Sequence, residues 1–518
     1  MSGSQSARFN LRPGIIGVLV SLLLLGHPVA AEPFSATQAL DQRMIAQVTG
    51  AALAFMAPRT LEEIPTAQLS IWGLRGLTTL DPRLVAELSP ELLRLSADGK
   101  LLFIRARPAN DPAAWGEAVG QLSRAGWDVS EPLRRTGTEG VLRSFFDELL
   151  NHLDPYSRYA TPDAAAEEDD RRNGRAGIGL DVVRIGPAFR IRAVAPGSPA
   201  MDAHIRPGEM LTEIDGEALA GAAPAAVAAL LAGPEDTEVS LMVGPSARLQ
   251  RRMTLQRVIL TPPTVFTQRS NDIVLIRISA FAHDTAGLLA REIRRAMASG
   301  RPPKGLVLDL RDNRGGLLRQ AVASAETLIS TGNIATTAGR HPASMHEYQA
   351  DAVDLLRGLP VVVVVDGGTA SAAEVLAAAL ADQRRAVVVG SATLGKGLVQ
   401  TILPLPDGGA LSLTWSRILA PLGWPLQSLG VLPQICTTQS DAALRSTLRE
   451  LAHGEQPMAA SLARHRSARA PLPSAEILDI RNACPASEGR EADLVTARFL
   501  IETPLAYRTA LIPEPPAP

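Results

Sequence analysis

A multidomain α+β fold is what this chain predicts, on three observations. Residues 260 to 436 alternate short apolar runs with helical segments, the pattern of an α/β layer whose strands are mainly parallel. Residues 167 to 259 break into short strands separated by glycine and proline. Residues 32 to 166 read as mostly helical, with one short β piece around Leu101-Leu102-Phe103-Ile104. The 518 residues exceed what a single hydrophobic core holds and point to two to four domains.

In the N-terminal part, Ile71 to Leu77 and Val141 to Phe146 are apolar helical runs, each stopped by Leu-Asp-Pro, at Leu80-Asp81-Pro82 and Leu153-Asp154-Pro155. They form a weak, degenerate internal repeat. A charged linker, Glu167 to Arg172, follows. After it come Gly177-Ile178-Gly179-Leu180, several glycine-punctuated strands, an alanine-rich helix from Pro224 to Leu231 and a strand from Glu238 to Val243.

The α/β part is predicted in the same way. A strand over Ile273–Ile278 leads to a helix over 286–298 and a buried strand, Gly305 to Leu310. The turn Arg311-Asp312-Asn313-Arg314-Gly315-Gly316 then opens a helix at Leu317. Val361 to Val365 is a buried strand, because five consecutive valines have no polar face to offer water. Gly367-Gly368 turns the chain sharply, and residues 372–380 have helix-forming composition, so Ser371 stands where strand becomes helix. A hydroxyl there lies beside the free N–H groups of a helix N-terminus, which stabilise developing negative charge.

Serine needs a base to act as a nucleophile. Lys396, between Gly395 and Gly397 after a second buried strand (386–389), is the candidate, since a desolvated lysine is neutral near neutral pH. From the residues alone, Ser371 as a plain helix cap and Lys396 as a solvated loop residue stay open.

The string Gly368-Thr369-Ala370-Ser371-Ala372 with Glu374, followed by Gly395-Lys396-Gly397 and Gln400, resembles the carboxy-terminal processing proteases. These are PDZ-containing serine endopeptidases of the S41 class with a Ser–Lys dyad. The resemblance implies a ClpP/crotonase-like α/β protease core with a PDZ domain and a mostly helical N-terminal domain. It implies Ser371 as nucleophile, Lys396 as general base and Gln400 as the residue orienting the lysine. The oxyanion hole would use the N–H of Ala372 and that of Gly315 or Gly316, with the choice between the two glycines open.

The run Leu153-Asp154-Pro155-Tyr156-Ser157-Arg158-Tyr159 resembles the family segment that precedes the PDZ domain, a marker with structural content in two packed tyrosines. In the PDZ domain, the loop Gly177, Ile178, Gly179 and Leu180 would offer backbone N–H groups to a ligand's terminal carboxylate. The same glycines also serve turns alone, and the domain serves equally as substrate receptor or inhibitory cap. Two positions depart from the family pattern, Ala373 where serine is frequent and Ser391 where glutamate is usual. The closing stretch Ile418 to Ile435 follows the family, with Gln427 of undefined role.

Composition and compartment fit a secreted protease. Net charge is −2, so no basic footprint argues for nucleic acid. Arg8 and Arg12, the apolar run Ile15 to Leu25 and Val29-Ala30-Ala31 before Glu32 describe a cleaved signal peptide over 1–31, with an uncleaved anchor as the alternative. Given the resemblance, the compartment is the periplasm or the cell exterior. The two cysteines, Cys436 and Cys484, allow one disulfide pinning the C-terminal extension to the core, or two free thiols. The eight histidines are scattered, so neither metal nor cofactor is expected.

The expected domains are 32–166, the PDZ domain at 167–259, the core at 260–436 and an extension at 437–518. That extension reads as one helix (441–451), a Pro/Ala-rich linker, a further helical stretch and a proline-rich tail, without assigned function. The expected partners are protein or peptide substrates with free C-termini, with room for an activator or adaptor protein and for a homo-oligomer. A non-catalytic PDZ scaffold binding envelope proteins is the alternative function. A crotonase-like acyl-CoA enzyme shares the fold logic, but the signal peptide argues against it.

Overall fold

The computed structural model describes residues 39–173, 175–186, 188–246, 248–260, 263–270 and 272–512. The predicted signal peptide lies outside the described residues.

The centre is a six-stranded sheet in the order Val265–Ser270, Ile273–Ile278, Gly305–Asp309, Val361–Val365, Val387–Gly390 and Ile435–Cys436. The first pair is antiparallel and every later pair parallel. Parallel strands need covering on both faces. The valine strand shows why: Val361, Val363 and Val365 enter one core and Val362 and Val364 the other. Burying each valine is worth about 1.5–3 kcal/mol. Helices Thr285–Ala298, Leu318–Glu326 and Ala372–Asp382 contribute to the first core.

The second face is covered by the C-terminal extension, which corrects the sequence expectation for that region. Its described residues hold five helices, Asp441–Ala452, Ala459–Ser467, Ser474–Arg481, Glu491–Glu502 and Pro504–Ala510. Leu444, Leu451, Ala497, Leu500, Ile501, Ala506 and Ala510 pack on the face that carries Val362 and Val364. Tyr507 Oη hydrogen-bonds the Val361 backbone at 3.1–3.2 Å. The first of these helices is the one expected at 441–451; Ala459–Ser467 and Ser474–Arg481, short and with little amphipathic contrast, hid the rest of this layer from a periodicity reading. Cys436, ending the last strand, is disulfide-bonded to Cys484 across 48 residues.

A second, antiparallel sheet runs His346–Asp351, Thr331–Ala338, Ala410–Leu419, Leu398–Pro404. Arg158–Ala160 pairs with the start of Ala410–Leu419, so the chain following the second Leu-Asp-Pro is built into the protease core. In the N-terminal part, five helices from Gln42 to Leu150 accompany a three-stranded antiparallel sheet, Leu84–Leu88, Leu92–Ala97, Lys100–Ala106. The expected β piece at 101–104 is its last strand.

The run Glu167–Arg172 belongs to a helix, Pro162–Asn173, and is not an irregular linker. Asp163 in its first turn favours that helix electrostatically. The strands Arg175–Gly177 and Val258–Leu260 pair with each other at the two chain crossings into the next unit. Between them stands a five-strand path, Leu249–Gln256, Glu238–Ser246, Met210–Ile214, Ala188–Val194, Leu180–Ile185, with the helix Pro224–Leu231.

A disulfide closing a loop of this length raises stability by about 2–4 kcal/mol. Urea unfolding of the oxidised protein against Cys484→Ser is expected to show a loss in that range, with a steeper slope against denaturant for the variant because its unfolded chain is less compact.

Candidate active site

Ser371 is set by the turn before it. The Asp366 carboxylate accepts the N–H groups of Asp312, Gly368 and Thr369 at 2.9–3.0 Å, while Thr369 Oγ1 donates to Leu310 O at 2.9 Å. This ties the valine strand to its neighbour and delivers Ser371 at the N-cap of Ala372–Asp382. Ser371 has φ 57° and ψ −120°, a conformation that costs a non-glycine residue about 1–3 kcal/mol and persists only when its surroundings enforce it.

Glu374 does the enforcing. Its side chain is fully buried. Oε2 accepts the Ser371 N–H at 2.7 Å and the Lys396 N–H at 2.9 Å. Oε1 accepts the Gly395 N–H at 2.7 Å and the Thr393 hydroxyl at 2.5 Å. One carboxylate therefore fixes the backbone of both Ser371 and the Gly395–Lys396 turn. Burial pushes its pKa above the ordinary carboxylate range, against the pull of the four donors. In the sequence, the signal for this role was the position of Glu374 three residues after a serine at a helix start.

The Lys396 turn is tightly packed. A Cβ on Gly397 would lie 2.1 Å from Gln427 N, and the Gly397 N–H donates to Gln427 Oε1 at 2.9 Å, which gives Gln427 a defined structural role. The Lys396 ammonium position lies 4.7 Å from the centre of the Tyr156 ring. This contact belongs to the run treated in the sequence as a structural marker, and it puts that run against the candidate base.

Asp154 anchors the same run. Its carboxylate accepts from Tyr156 N, Ser157 N, Ser157 Oγ and Thr414 Oγ1. Gln400 donates from Nε2 to Leu398 O at 3.2 Å and to Thr414 Oγ1 at 3.1 Å, leaving Oε1 as the amide atom that can accept from an amine.

Gly315 and Gly316 face the same place. Asn313, fully buried, donates to Ile278 O and accepts the Gly315 N–H at 2.9 Å. Gly315 has φ 94°, and a Cβ there would lie 2.8 Å from Ser371 Cβ. With the Gly315 N–H already donated, the Gly316 N–H is the one left to pair with that of Ala372. Ser371, Ala372, Lys396, Gln400, Gly315 and Gly316 line one cavity of about 560 Å³, together with Phe281, Leu317, Val399, Ile402 and Ile418.

Both departures from the family pattern have structural reasons. Ala373 is fully buried in the core. Ser391 Oγ donates to Ser487 O at 3.0 Å and accepts Ser487 N–H at 3.1 Å, so the C-terminal extension occupies the space next to it. In the PDZ-like unit, Ile178 is a core residue and Gly177 sits in the paired strand Arg175–Gly177, so only backbone groups of this loop are placed to meet a ligand. Gly179 has φ 82° and abuts Ser198, and Leu180 opens the edge strand.

A serine at a strained strand-to-helix junction, a lysine on an adjoining turn and a two-glycine turn lining one cavity define a serine peptidase core. The sequence model of peptidase family S41 matches residues 272–437, and a PDZ-domain model matches 190–243. The carboxy-terminal-processing protease of Bartonella bacilliformis is 31% identical over 330 residues, covering 62% of this chain and 75% of the relative. The chloroplastic C-terminal processing peptidase of Tetradesmus obliquus is 32% identical over 366 residues, covering 65% and 76%. Among solved structures, a photosystem II D1 C-terminal processing protease is 26% identical, covering 71% of this chain and 92% of that one at a TM-score of 0.36. The chain belongs to the carboxy-terminal-processing proteases of peptidase family S41 and is a serine endopeptidase.

Substitutions at two positions test the site. Glu374→Gln sets an amide N–H against backbone N–H donors; it is expected to cost about 1–3 kcal/mol in urea unfolding. It should also slow labelling of Ser371 by a fluorophosphonate on the order of 100-fold. Tyr156→Leu removes about 0.5–2 kcal/mol of support for a lysine that gains charge, a few-fold to roughly 30-fold in kcat, whereas Tyr156→Phe keeps the ring face and the rate.

Proposed function

We propose that this endopeptidase cleaves periplasmic or secreted proteins near their C-termini through a Ser371–Lys396 dyad. The shared cavity carries this reading, since it joins both residues to the Ala372 and Gly316 N–H groups. Ser371 Oγ attacks the peptide carbonyl carbon while Lys396 Nζ takes its proton. The carbonyl oxygen becomes an oxyanion facing the Ala372 and Gly316 N–H groups. The lysine then gives its proton to the leaving nitrogen, the C–N bond breaks and an acyl-enzyme remains. A water, deprotonated by the same lysine, releases the acid and restores Ser371. Gln400, through Oε1, orients the amine, and the Tyr156 ring supports the positive charge it gains.

The apolar walls from Phe281, Leu317 and Ile418 favour apolar substrate side chains next to the scissile bond. The PDZ domain supplies the C-terminal preference. Its edge strand Leu180–Ile185 and the neighbouring helix Pro224–Leu231 frame a site where a peptide adds as a strand, its carboxylate on the Gly177–Leu180 loop.

The purified protein, Ser371→Ala and Lys396→Ala are compared on an unstructured protein with an apolar C-terminus. The parent is expected to cleave, and each variant to lose at least about 1,000-fold while keeping its circular dichroism spectrum. Amidating the substrate C-terminus should weaken cleavage. If the parent binds C-terminal peptides but cleaves nothing, the scaffold reading replaces this one. Cell fractionation with N-terminal sequencing beginning at Glu32 is the matching test of compartment.

A further inference from the structure

The C-terminal extension does more than cover the sheet. Arg481, at the end of Ser474–Arg481, reaches back from outside the matched S41 segment to the turn that carries Lys396. Its Nη2 donates to Thr393 O at 2.8 Å and its Nη1 to Leu429 O at 2.7 Å. Thr393 is the residue whose hydroxyl donates to Glu374 Oε1, and the same hydroxyl accepts the Val431 N–H at 2.7 Å. Gly430 shows how closely this junction is built. It has φ 67°, and a Cβ there would lie 2.8 Å from both Arg481 Nη1 and Thr393 O. A second extension residue, His465, hydrogen-bonds Gly430 O through Nε2 at 2.9 Å. Cys484, disulfide-bonded to Cys436, hydrogen-bonds back to Arg481 O, which fixes the end of the arginine's helix to the core.

We propose that Arg481 is a positioning residue of the peptidase, through which the C-terminal extension holds Thr393 and Glu374 in the geometry that sets Ser371 beside Lys396. The inference rests on the dyad reading of the previous section. A guanidinium suits the role, because two of its nitrogens bond carbonyls on two separate segments at once. Its charge also acts on Glu374: burial draws Arg481 below the ordinary guanidinium range, and the glutamate opposes that shift.

The charged and titratable groups around this junction are Lys396, whose N–H Glu374 accepts, Arg481 from the extension, and His465 beside Arg481, which burial holds below the ordinary imidazole range. Ionised Glu374 accepts the N–H groups of Ser371 and Lys396, so activity falls as pH drops through its raised pKa. Losing Arg481 raises that pKa further and moves the acid limb of kcat/KM to higher pH.

The test uses the full-length mature protein, with Ser371→Ala as the blank. Fluorophosphonate labelling and peptide cleavage are followed across pH for the parent, Arg481→Met, Arg481→Lys and Gly430→Ala, beside thermal melts of each. Arg481→Met is expected to lower kcat on the order of 100-fold with little change in KM, and to shift the acid limb upward. Arg481→Lys keeps the charge and the position of the limb while losing part of kcat, and Gly430→Ala repeats the Arg481→Met pattern. Parent-like kcat and acid limb in Arg481→Met overturn the proposal. So does activity that falls only with the folded fraction, the limb unmoved in every variant. A parent whose labelling matches Ser371→Ala sinks the dyad reading itself, and this inference with it.

Discussion

The Glu374 carboxylate is the constraint on which the candidate site depends. Two of its four hydrogen bonds run to the backbone N–H groups of Ser371 and Lys396, residues on different turns after different strands. A buried carboxylate is costly to desolvate unless its acceptor capacity is used, and here four donors converge on it. The strained φ of Ser371 is therefore held by a local charge and does not rely on the helix alone. Because each donor comes from a loop that leaves the central sheet, the spacing of that sheet's strands reaches the reacting atoms through this one side chain.

Much of this was legible in the sequence. The valine run, the glycine pair after it and the serine at the helix start gave strand, turn and N-cap, because buried strands and sharp turns have strong local signatures. Gly395-Lys396-Gly397 was legible as a glycine-flanked lysine after a buried strand, with a solvated loop as the alternative. The hydrogen bond that engages the Gly315 N–H was not, since it depends on Asn313 reaching Ile278 across the sheet. Tyr156 was read as packing, because a contact between residues so far apart in the chain leaves no local pattern. Glu374 carried a capping-box signature and nothing that announced its bonds to Thr393 and Gly395.

The C-terminal extension was the least legible part, for a related reason. Beyond Asp441–Ala452, the one helix with a clear apolar stripe, its helices are weakly amphipathic, and their apolar residues fit the sheet rather than make a continuous stripe. What the sequence did contain was a mismatch. A parallel sheet apolar on both faces needs two covers, and the helices between its strands supply one. Ser391, where the family pattern has glutamate, marks the place where the second cover meets the site.

Chain order adds a consequence of its own. Residues 441–510 follow Ser371, Lys396 and Gln400 in synthesis, yet they shield Val362, Val364, Val387 and Val389 and carry the arginine that grips Thr393. Because a protein is made from its N-terminus onward, a partly made chain holds Ser371, Lys396 and Gln400 before it holds the layer that covers the sheet beneath them. One face of the central sheet thus stays bare of its cover until residues 441–510 have followed the strands that need it.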